Sequence, residues 1–472
     1  MKPVSHAFKD NAKQALADEP LRRALGGIKH GFVANRAKAR AKLPEFERLR
    51  DEARAVKEHT LAHLDLYLEA YEKKVTETGG HVHWAATAAD ARAAILQICQ
   101  AAGAKTVTKG KSMVGEEIAI NEHLEAAGIT PVETDLGEYL IQLRHEPPSH
   151  IIAPAIHLNK GQVEADFRRE HTDLPDNRVL EEPAQLVAEA RAVLRKQFLA
   201  ADVGITGANL LIAETGTSVI VTNEGNGDLT QCLPRIHVVI TSIEKMVPTL
   251  EDANTILRVL ARSATGQECS TYTTFSTGPK RDGDPDGPDE YHVVVLDNGR
   301  SEMLGGQFHD MLRCIRCGAC MNHCPVYGAI GGHAYGWVYP GPMGAVLTPS
   351  LIGIDEAGNL PNASTFCGRC EAVCPMRIPL PKMMRHWRER EYEKGNTPAF
   401  YKLSLKAWAY AAKNPRLYQT LTGLLIPLLA RFGSKGRFRS LPLASGWTRY
   451  RDLPAPQGKT FQQLWRAKEM RS

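Results

Sequence analysis

The sequence predicts an α/β domain, followed by a cysteine-rich domain and C-terminal helices. Three observations lead to this expectation. The chain has 472 residues, more than one hydrophobic core usually organises, so at least two domains are expected. Strand-like apolar runs alternate with amphipathic helical stretches before the cysteines, which is typical of a parallel sheet covered by helices. Seven of the ten cysteines then fall between Cys314 and Cys374.

Composition excludes several other classes of protein. Hydrophobic residues make up 43% of the chain and charged residues 24%, as in ordinary globular proteins. The net charge is only +5 and the basic residues are dispersed, so no nucleic-acid partner is expected. The N-terminus has no apolar signal segment and no apolar run reaches membrane-spanning length. We therefore expect no transmembrane segment and a cytoplasmic protein.

The first 300 residues divide into a helical lead-in and the α/β domain. Residues 1–59 carry apolar side chains at helical spacing among many charges. Within residues 60–300, the strand-like pieces HVHWAA, KTVTKG and ITPVETD alternate with AADARAAILQICQAAG and GEEIAINEHLEAAG, two helical stretches that each end in glycine. ANLLIAETGTSVIVTN then predicts two β-runs about a Thr-Gly turn, RIHVVITSI a buried strand and TLEDANTILRVLARSA a helix. GPKRDGDPDGPDE is a surface loop.

Residues 301–385 form the predicted cysteine domain, and residues 386–472 a C-terminal helical region and tail. The run CIRCGACMNHCP has the C-x2-C-x2-C-x3-C-P spacing of bacterial ferredoxins, which hold cubane iron–sulfur clusters. A disulfide framework would require a secreted, usually short chain. Zinc is the weaker alternative, because a tetrahedral site needs neither three thiolates at this spacing nor the Cys-Pro steps.

A second run, CGRCEAVCP, supplies the partner motif. In two-cluster ferredoxins the cysteine before proline binds the other cluster, so the ligands are exchanged between the two runs. The predicted ligands of the first 4Fe-4S cluster are Cys314, Cys317, Cys320 and Cys374, and those of the second are Cys324, Cys367 and Cys370. Ser364 stands where a fourth cysteine of the second set would stand. The second cluster is then either a three-iron (3Fe-4S) form or a cubane with a non-cysteine fourth ligand.

Other side chains have less specific roles, and no catalytic residue is predicted. Three arginines lie next to the predicted cluster ligands: Arg313, Arg316 and Arg369. Their positive charge should favour the reduced state of the clusters. The three isolated cysteines are expected to pack in apolar surroundings; they are Cys99, Cys232 and Cys269. A turn with Lys109, Lys111 and Ser112 could receive a carboxylate or phosphate, although a basic surface turn is the simpler interpretation. Glu214 and Thr217 lie in the Thr-Gly turn, where a tight β-connection is the simpler interpretation.

The cysteine runs, together with GANLLIAETGTSVIVTNEGNGD and TKGKSMVGEEIAINEHLEAAG, resemble the lactate-utilisation iron–sulfur protein B family and its LUD domain. The resemblance implies a LUD domain similar to the sugar-isomerase and CoA-transferase architecture, then a ferredoxin-type two-cluster domain. It also implies electron relay through two [4Fe-4S] clusters in a cytoplasmic three-component system that oxidises L-lactate to pyruvate. The partners would be the other subunits of that system, with an unknown electron acceptor.

Two other functions remain open at this point. The chain could be the iron–sulfur subunit of another dehydrogenase or of a quinone-linked reductase, with the basic amphipathic run 401–431 docking on a membrane or a membrane subunit. It could also be an organic-acid-binding redox sensor. Since G-x-G-x-x-G and P-loop spacings are absent, we expect no nucleotide, flavin or nicotinamide site here, and a two-electron donor would need a partner.

Overall fold

The computed structural model describes residues 3–440, Thr448 and residues 452–470. These residues form two compact units, one extending to Arg390 and the other beginning at Glu391. The first unit contains the α/β sheet and all ten cysteines.

The main sheet has six parallel strands in the order β1-β10-β7-β4-β2-β3. Its strands are β1 (His81–Ala85), β2 (Thr106–Gly110), β3 (Thr130–Glu133), β4 (Val203–Gly207), β7 (Ile236–Ser242) and β10 (Glu290–Leu296). Every residue of β4 and β7 is buried, as expected for central strands covered on both faces. In register, Val238 pairs with Ile205 on one side and His292 on the other. The predicted parallel sheet is confirmed.

A second sheet of four strands packs beside the first, in the order β8-β5-β6-β9. Its strands are β5 (Leu210–Ile212), β6 (Thr217–Thr222), β8 (Met246–Val247) and β9 (Tyr272–Ser276). The predicted Thr-Gly turn joins β5 and β6 as an antiparallel hairpin. Gly216 in this turn has a φ of 69°, a conformation that favours glycine.

Helices precede and cover the two sheets. The lead-in contains α1 (Phe8–Ala17), α2 (Glu19–Ile28), a π-helical segment (Lys29–Val33), α3 (Ala34–Ala41), α4 (Phe46–Ala62) and α5 (Leu64–Glu77). The α/β region contains α6 (Ala88–Ala101), α7 (Met113–Glu117), α8 (Ile120–Ala126), α9 (Leu136–Leu143), α10 (Lys160–Glu170), α11 (Pro183–Ala200), α12 (Asn226–Cys232) and α13 (Leu250–Ala264). The stretch expected as one helix over GEEIAINEHLEAAG is divided between α7 and α8, because Ala119 adopts a left-handed φ of 53°.

The cysteine region consists of short helices around two loops. They are α14 (Ser301–Leu304), α15 (Ala319–Asn322), α16 (Tyr327–Ile330), α17 (Gly341–Ala357), α18 (Arg369–Val373) and α19 (Leu380–Lys394), with 3-10 turns between them. One hydrophobic core includes Leu49 of the lead-in, Val219 of the second sheet and Met311 of this region. The cysteine loops are therefore packed directly against the α/β region.

The second unit is mainly helical. It contains α20 (Ala399–Lys413), α21 (Pro415–Ala430), the short strands β11 (Arg437–Phe438) and β12 (Leu453–Pro454), and α22 (Phe461–Glu469). Several large apolar side chains are exposed on these helices, among them Phe400, Trp408 and Leu424. Among the described residues, no helix combines the length and the apolar character needed to cross a membrane.

Candidate iron–sulfur site

The two cysteine loops share the same backbone conformation at two corresponding positions. Gly318 and Gly368 take φ values of 73° and 75° and begin the short helices α15 and α18, which pack against each other. Two residues before each glycine, Arg316 and Phe366 are also left-handed, with φ values of 57° and 53°. Ser364 therefore occupies the same place in the second loop as Cys314 in the first.

Four cysteines line one cavity: Cys314, Cys317, Cys320 and Cys374. Apart from the Arg316 side chain, the remaining wall is mostly apolar, with Ile151, Ile315, Met311, Met343, Ile378 and Leu380. This is the set predicted from sequence for one cluster. The cavity thus offers four sulfur donors inside a shell that restricts water, which fits a cubane cluster.

Burial controls the ionisation of these thiols. Together with the nearby thiols of the same set, burial raises the pKa of Cys317 to about 12 and that of Cys374 to about 11. The pKa of Cys320 is also raised, first by burial and then by Cys314. Four thiolates in so small an apolar space would repel one another without cations, so ionisation must accompany metal binding.

The other three cysteines form a second group nearer the surface. Burial raises the pKa of Cys370 to about 12, with Cys324 and then Cys367 adding to the effect. The exposed Cys367 has a lowered pKa, first because it accepts a hydrogen bond from the Arg369 backbone N–H. The thiols raise one another's pKa mainly within these two groups, and Cys320 is also affected by Cys370 of the second group.

Backbone N–H groups point at the sulfurs in a repeated pattern. The thiols of Cys317, Cys324, Cys367 and Cys374 each accept from the N–H two residues later. Such bonds favour an ionised sulfur and tune the potential of a bound cluster. The Ser364 hydroxyl accepts from the Phe366 N–H at 3.1 Å, which is the same relation.

Two arginines of the lead-in hold the second cysteine loop. Arg36 on α3 donates to the Val373 carbonyl at 2.9 Å. Arg50 on α4 is 4% exposed and donates to the carbonyls of Ala372 at 2.9 Å and Cys374 at 2.6 Å. These carbonyls end helix α18, where cationic donors are favourable. Sequence reasoning missed both arginines, because charged helical residues give no local signal of such a contact.

Two of the three arginines expected to act on the clusters pair with carboxylates, whereas Arg369 contacts the Cys367 sulfur through its backbone N–H. Arg313 is buried and pairs with Glu58 and Asp310. Arg316 pairs with Glu244 at 3.1 Å, while its guanidinium lies 5.0 Å from the centre of the Tyr339 ring. Their net effect on potential is therefore smaller than bare charges would give.

A larger cavity opens at the carboxyl ends of the main strands. Its wall includes Lys111 and Ser112 after β2, Asp135 after β3, and Lys245 beyond β7. Ligands of open α/β sheets commonly bind at this edge. Arg316 and Ile151 line both this cavity and the cysteine cavity, so the two spaces adjoin.

The residues singled out in the two turns have different surroundings in the structure. Lys111 pairs with Asp135 and Glu224 on the rim of the large cavity, and Ser112 caps α7 through the Gly115 N–H. Lys109 is fully buried against Glu116 and Glu133. The other two, Glu214 and Thr217, make local contacts: Glu214 accepts from the Leu250 N–H, and Thr217 bonds Thr277.

The expectation for the isolated cysteines was wrong for one of them. Cys99 is buried in the core of the main sheet, and Cys232 is half-buried. Cys269 is exposed, because it lies in the loop between α13 and β9 rather than on a packed face.

Fold and site together define an iron–sulfur protein built from an α/β LUD domain, a ferredoxin-type domain and C-terminal helices. Family comparisons agree: residues 68–296 match the LUD domain, residues 310–378 the 4Fe-4S dicluster domain, and residues 369–470 the C-terminal domain of lactate utilisation protein B.

Full-length relatives identify the family. The chain is 42% identical to "Lactate utilization protein B" of Bacillus velezensis over 99% of this chain and 98% of that protein. It is also 42% identical to the "Uncharacterized electron transport protein YkgF" of Escherichia coli, over 96% of this chain and 95% of the relative. The chain therefore belongs to the lactate utilization protein B family. A DUF162 family structure from Deinococcus radiodurans matches 49% of this chain and 98% of its own length, at 12% sequence identity. Its TM-score of 0.27 is too low to add to the family assignment.

Proposed function

We propose that this protein is a cytoplasmic electron carrier that relays electrons through two [4Fe-4S] clusters while its system oxidises L-lactate to pyruvate. The observation that carries the proposal is the grouping of the seven cysteines, four of which line one largely apolar cavity. Relatives named for lactate utilisation support the substrate.

The proposed ligands follow the sequence assignment. Cys314, Cys317, Cys320 and Cys374 hold the first cluster, and Cys324, Cys367 and Cys370 supply three ligands of the second. When bound, such clusters accept and release single electrons at potentials that their surroundings set. The chain contributes a rigid loop pair, N–H donors to sulfur, and an apolar shell.

We assign the fourth ligand of the second cluster to Ser364. Its position repeats that of Cys314, and its hydroxyl accepts the N–H two residues later, as four of the cysteine sulfurs do. Ser364→Cys should then retain about eight irons per chain, whereas Ser364→Ala should fall to about seven and give an oxidised three-iron signal in electron paramagnetic resonance. Full iron content with no three-iron signal in Ser364→Ala would refute this ligand.

Lactate gives up two electrons at a time, whereas each cluster takes one. A partner with a group that accepts both electrons is therefore part of the proposal, as are the other subunits and an electron acceptor still to be identified. The need for this partner can be tested directly by supplying L-lactate to the protein together with the partner subunits.

The first experiment measures iron and acid-labile sulfide on anaerobically purified protein, with electron paramagnetic resonance before and after dithionite. About eight irons with reduced-cubane signals are expected. Addition of L-lactate with the partner subunits should then reduce the same clusters. Zinc without sulfide would refute the cluster assignment, and full clusters that lactate and partners fail to reduce would refute the substrate.

A further inference from the structure

The large cavity at the sheet edge contains two cationic groups whose hydrogen-bonding capacity is not fully used. Lys245 is 6% exposed and lines this cavity, and its ammonium makes no hydrogen bond or ion pair with any residue that the structure describes. Arg316 also lines the cavity, and its Nη1 atom is buried without a hydrogen-bond partner in the described part of the chain. Buried donors of this kind are costly unless a ligand satisfies them.

The neighbouring carboxylates are already engaged. Glu244 pairs with Arg316 at 3.1 Å and with Arg300 at 3.0 Å, and Glu117 pairs with Arg300 at 2.6 Å. Tyr339 donates a further hydrogen bond to Glu117 at 2.6 Å. Two guanidinium groups thus share two carboxylates. The other carboxylates of the cavity wall are also engaged, since Asp135 pairs with Lys111 and Glu138 accepts a hydrogen bond from the Lys111 backbone N–H.

We infer that this cavity binds a small organic carboxylate, held by Lys245 and Arg316 next to the first cluster. A carboxylate would supply the partner that the Lys245 ammonium and the Arg316 Nη1 atom lack among the described residues, because its oxygens accept hydrogen bonds from both cations. Ile151, Ile152 and Leu260 offer apolar contact for the carbon part of the ligand, and Asn209 and Thr222 offer neutral polar groups.

The proposed carboxylate site lies next to the cysteine cavity, which connects it with electron transfer. Arg316 stands between Cys314 and Cys317 in the chain and lines both the large cavity and the cysteine cavity. A carboxylate on Arg316 would therefore lie beside the first cluster and change its electrostatic surroundings. This inference rests on the proposed cluster function and adds a ligand site within the same chain.

The test titrates the iron-loaded full-length protein with L-lactate, pyruvate and inorganic phosphate in separate calorimetric experiments. We expect saturable binding of at least one of the two carboxylates, weaker binding of phosphate, and an altered electron paramagnetic resonance signal of the reduced protein. Lys245→Gln should weaken carboxylate binding by about tenfold or more with iron content unchanged. Lys73→Gln, on a side chain 75% exposed, is the matched control and should bind as the unchanged protein does.

A second variant, Arg316→Lys, keeps the charge but removes the forked geometry, and should also weaken carboxylate binding, measured per iron-loaded chain. No saturable binding of either carboxylate to iron-loaded protein would overturn the inference, as would unchanged affinity in Lys245→Gln. Phosphate binding as tight as that of the carboxylates would overturn the ligand class. Protein without iron and sulfide would instead refute the proposed function, so the two failures are distinguishable.

Discussion

Arg50 links the N-terminal helices to the second cysteine loop, and its removal should loosen that loop. Arg50→Met keeps most of the aliphatic stem but removes the hydrogen bonds to the carbonyls of Ala372 and Cys374. Each buried carbonyl left without its donor costs about 1–3 kcal/mol, or about 2–6 kcal/mol for the pair. Burial lowers the pKa of Arg50, so its removal also relieves a desolvation cost. The Cys374 carbonyl keeps the Arg377 N–H, and we therefore expect about 2–4 kcal/mol.

Hydrogen exchange measures this local effect without requiring two-state unfolding of a protein with bound clusters. Amides of residues 369–378 should exchange roughly 30- to 1,000-fold faster in Arg50→Met, at about 1.4 kcal/mol for each factor of ten. Arg48→Met is the control, because Arg48 is on the same helix, 70% exposed, and pairs only with Glu52 among the described residues. Equal exchange of residues 369–378 in the two variants would refute the proposed anchoring role.

Three further outcomes are expected. Cys320→Ala should lose about four irons per chain, whereas Cys99→Ala should lose none; unchanged iron in the first variant would contradict the ligand assignment. Gly332→Ala places a Cβ 1.8 Å from the Ser149 carbonyl oxygen, so its yield of folded protein should collapse, while Gly328→Ala, with open space around it, should fold normally. His237 has its pKa lowered to about 3, first by burial, so the folded state keeps it neutral while the unfolded state takes up a proton below about pH 6.5. Stability should fall by about 2 kcal/mol from pH 6.5 to pH 5 through this residue, and thermal unfolding of His237→Gln should show a correspondingly shallower pH dependence.

Local features of this protein could be predicted from its sequence. The strand Ile236–Ser242 is rich in β-branched residues and is buried along its whole length, as expected for a central strand covered on both faces. The chemistry expected at the cysteines follows from their spacing, because ligands of one cluster must come from short turns of fixed geometry. The helix break at Ala119 was missed, since one left-handed residue leaves no periodic signal.

Only the tertiary structure decided which distant groups meet. Arg50 and Cys374 are 324 residues apart and share a hydrogen bond, and Lys245 in the turn after β7 lines the same cavity as Arg316 in a cysteine loop. Sequence patterns indicate backbone geometry and buried faces over short distances. Contacts between residues far apart in the chain depend instead on how the helices and sheets pack around the shared core. The sequence by itself therefore determined that this chain is an α/β protein with a ferredoxin-like cysteine pattern. The packing decided that its cysteine cavity adjoins a cavity with unsatisfied cations at the edge of the sheet.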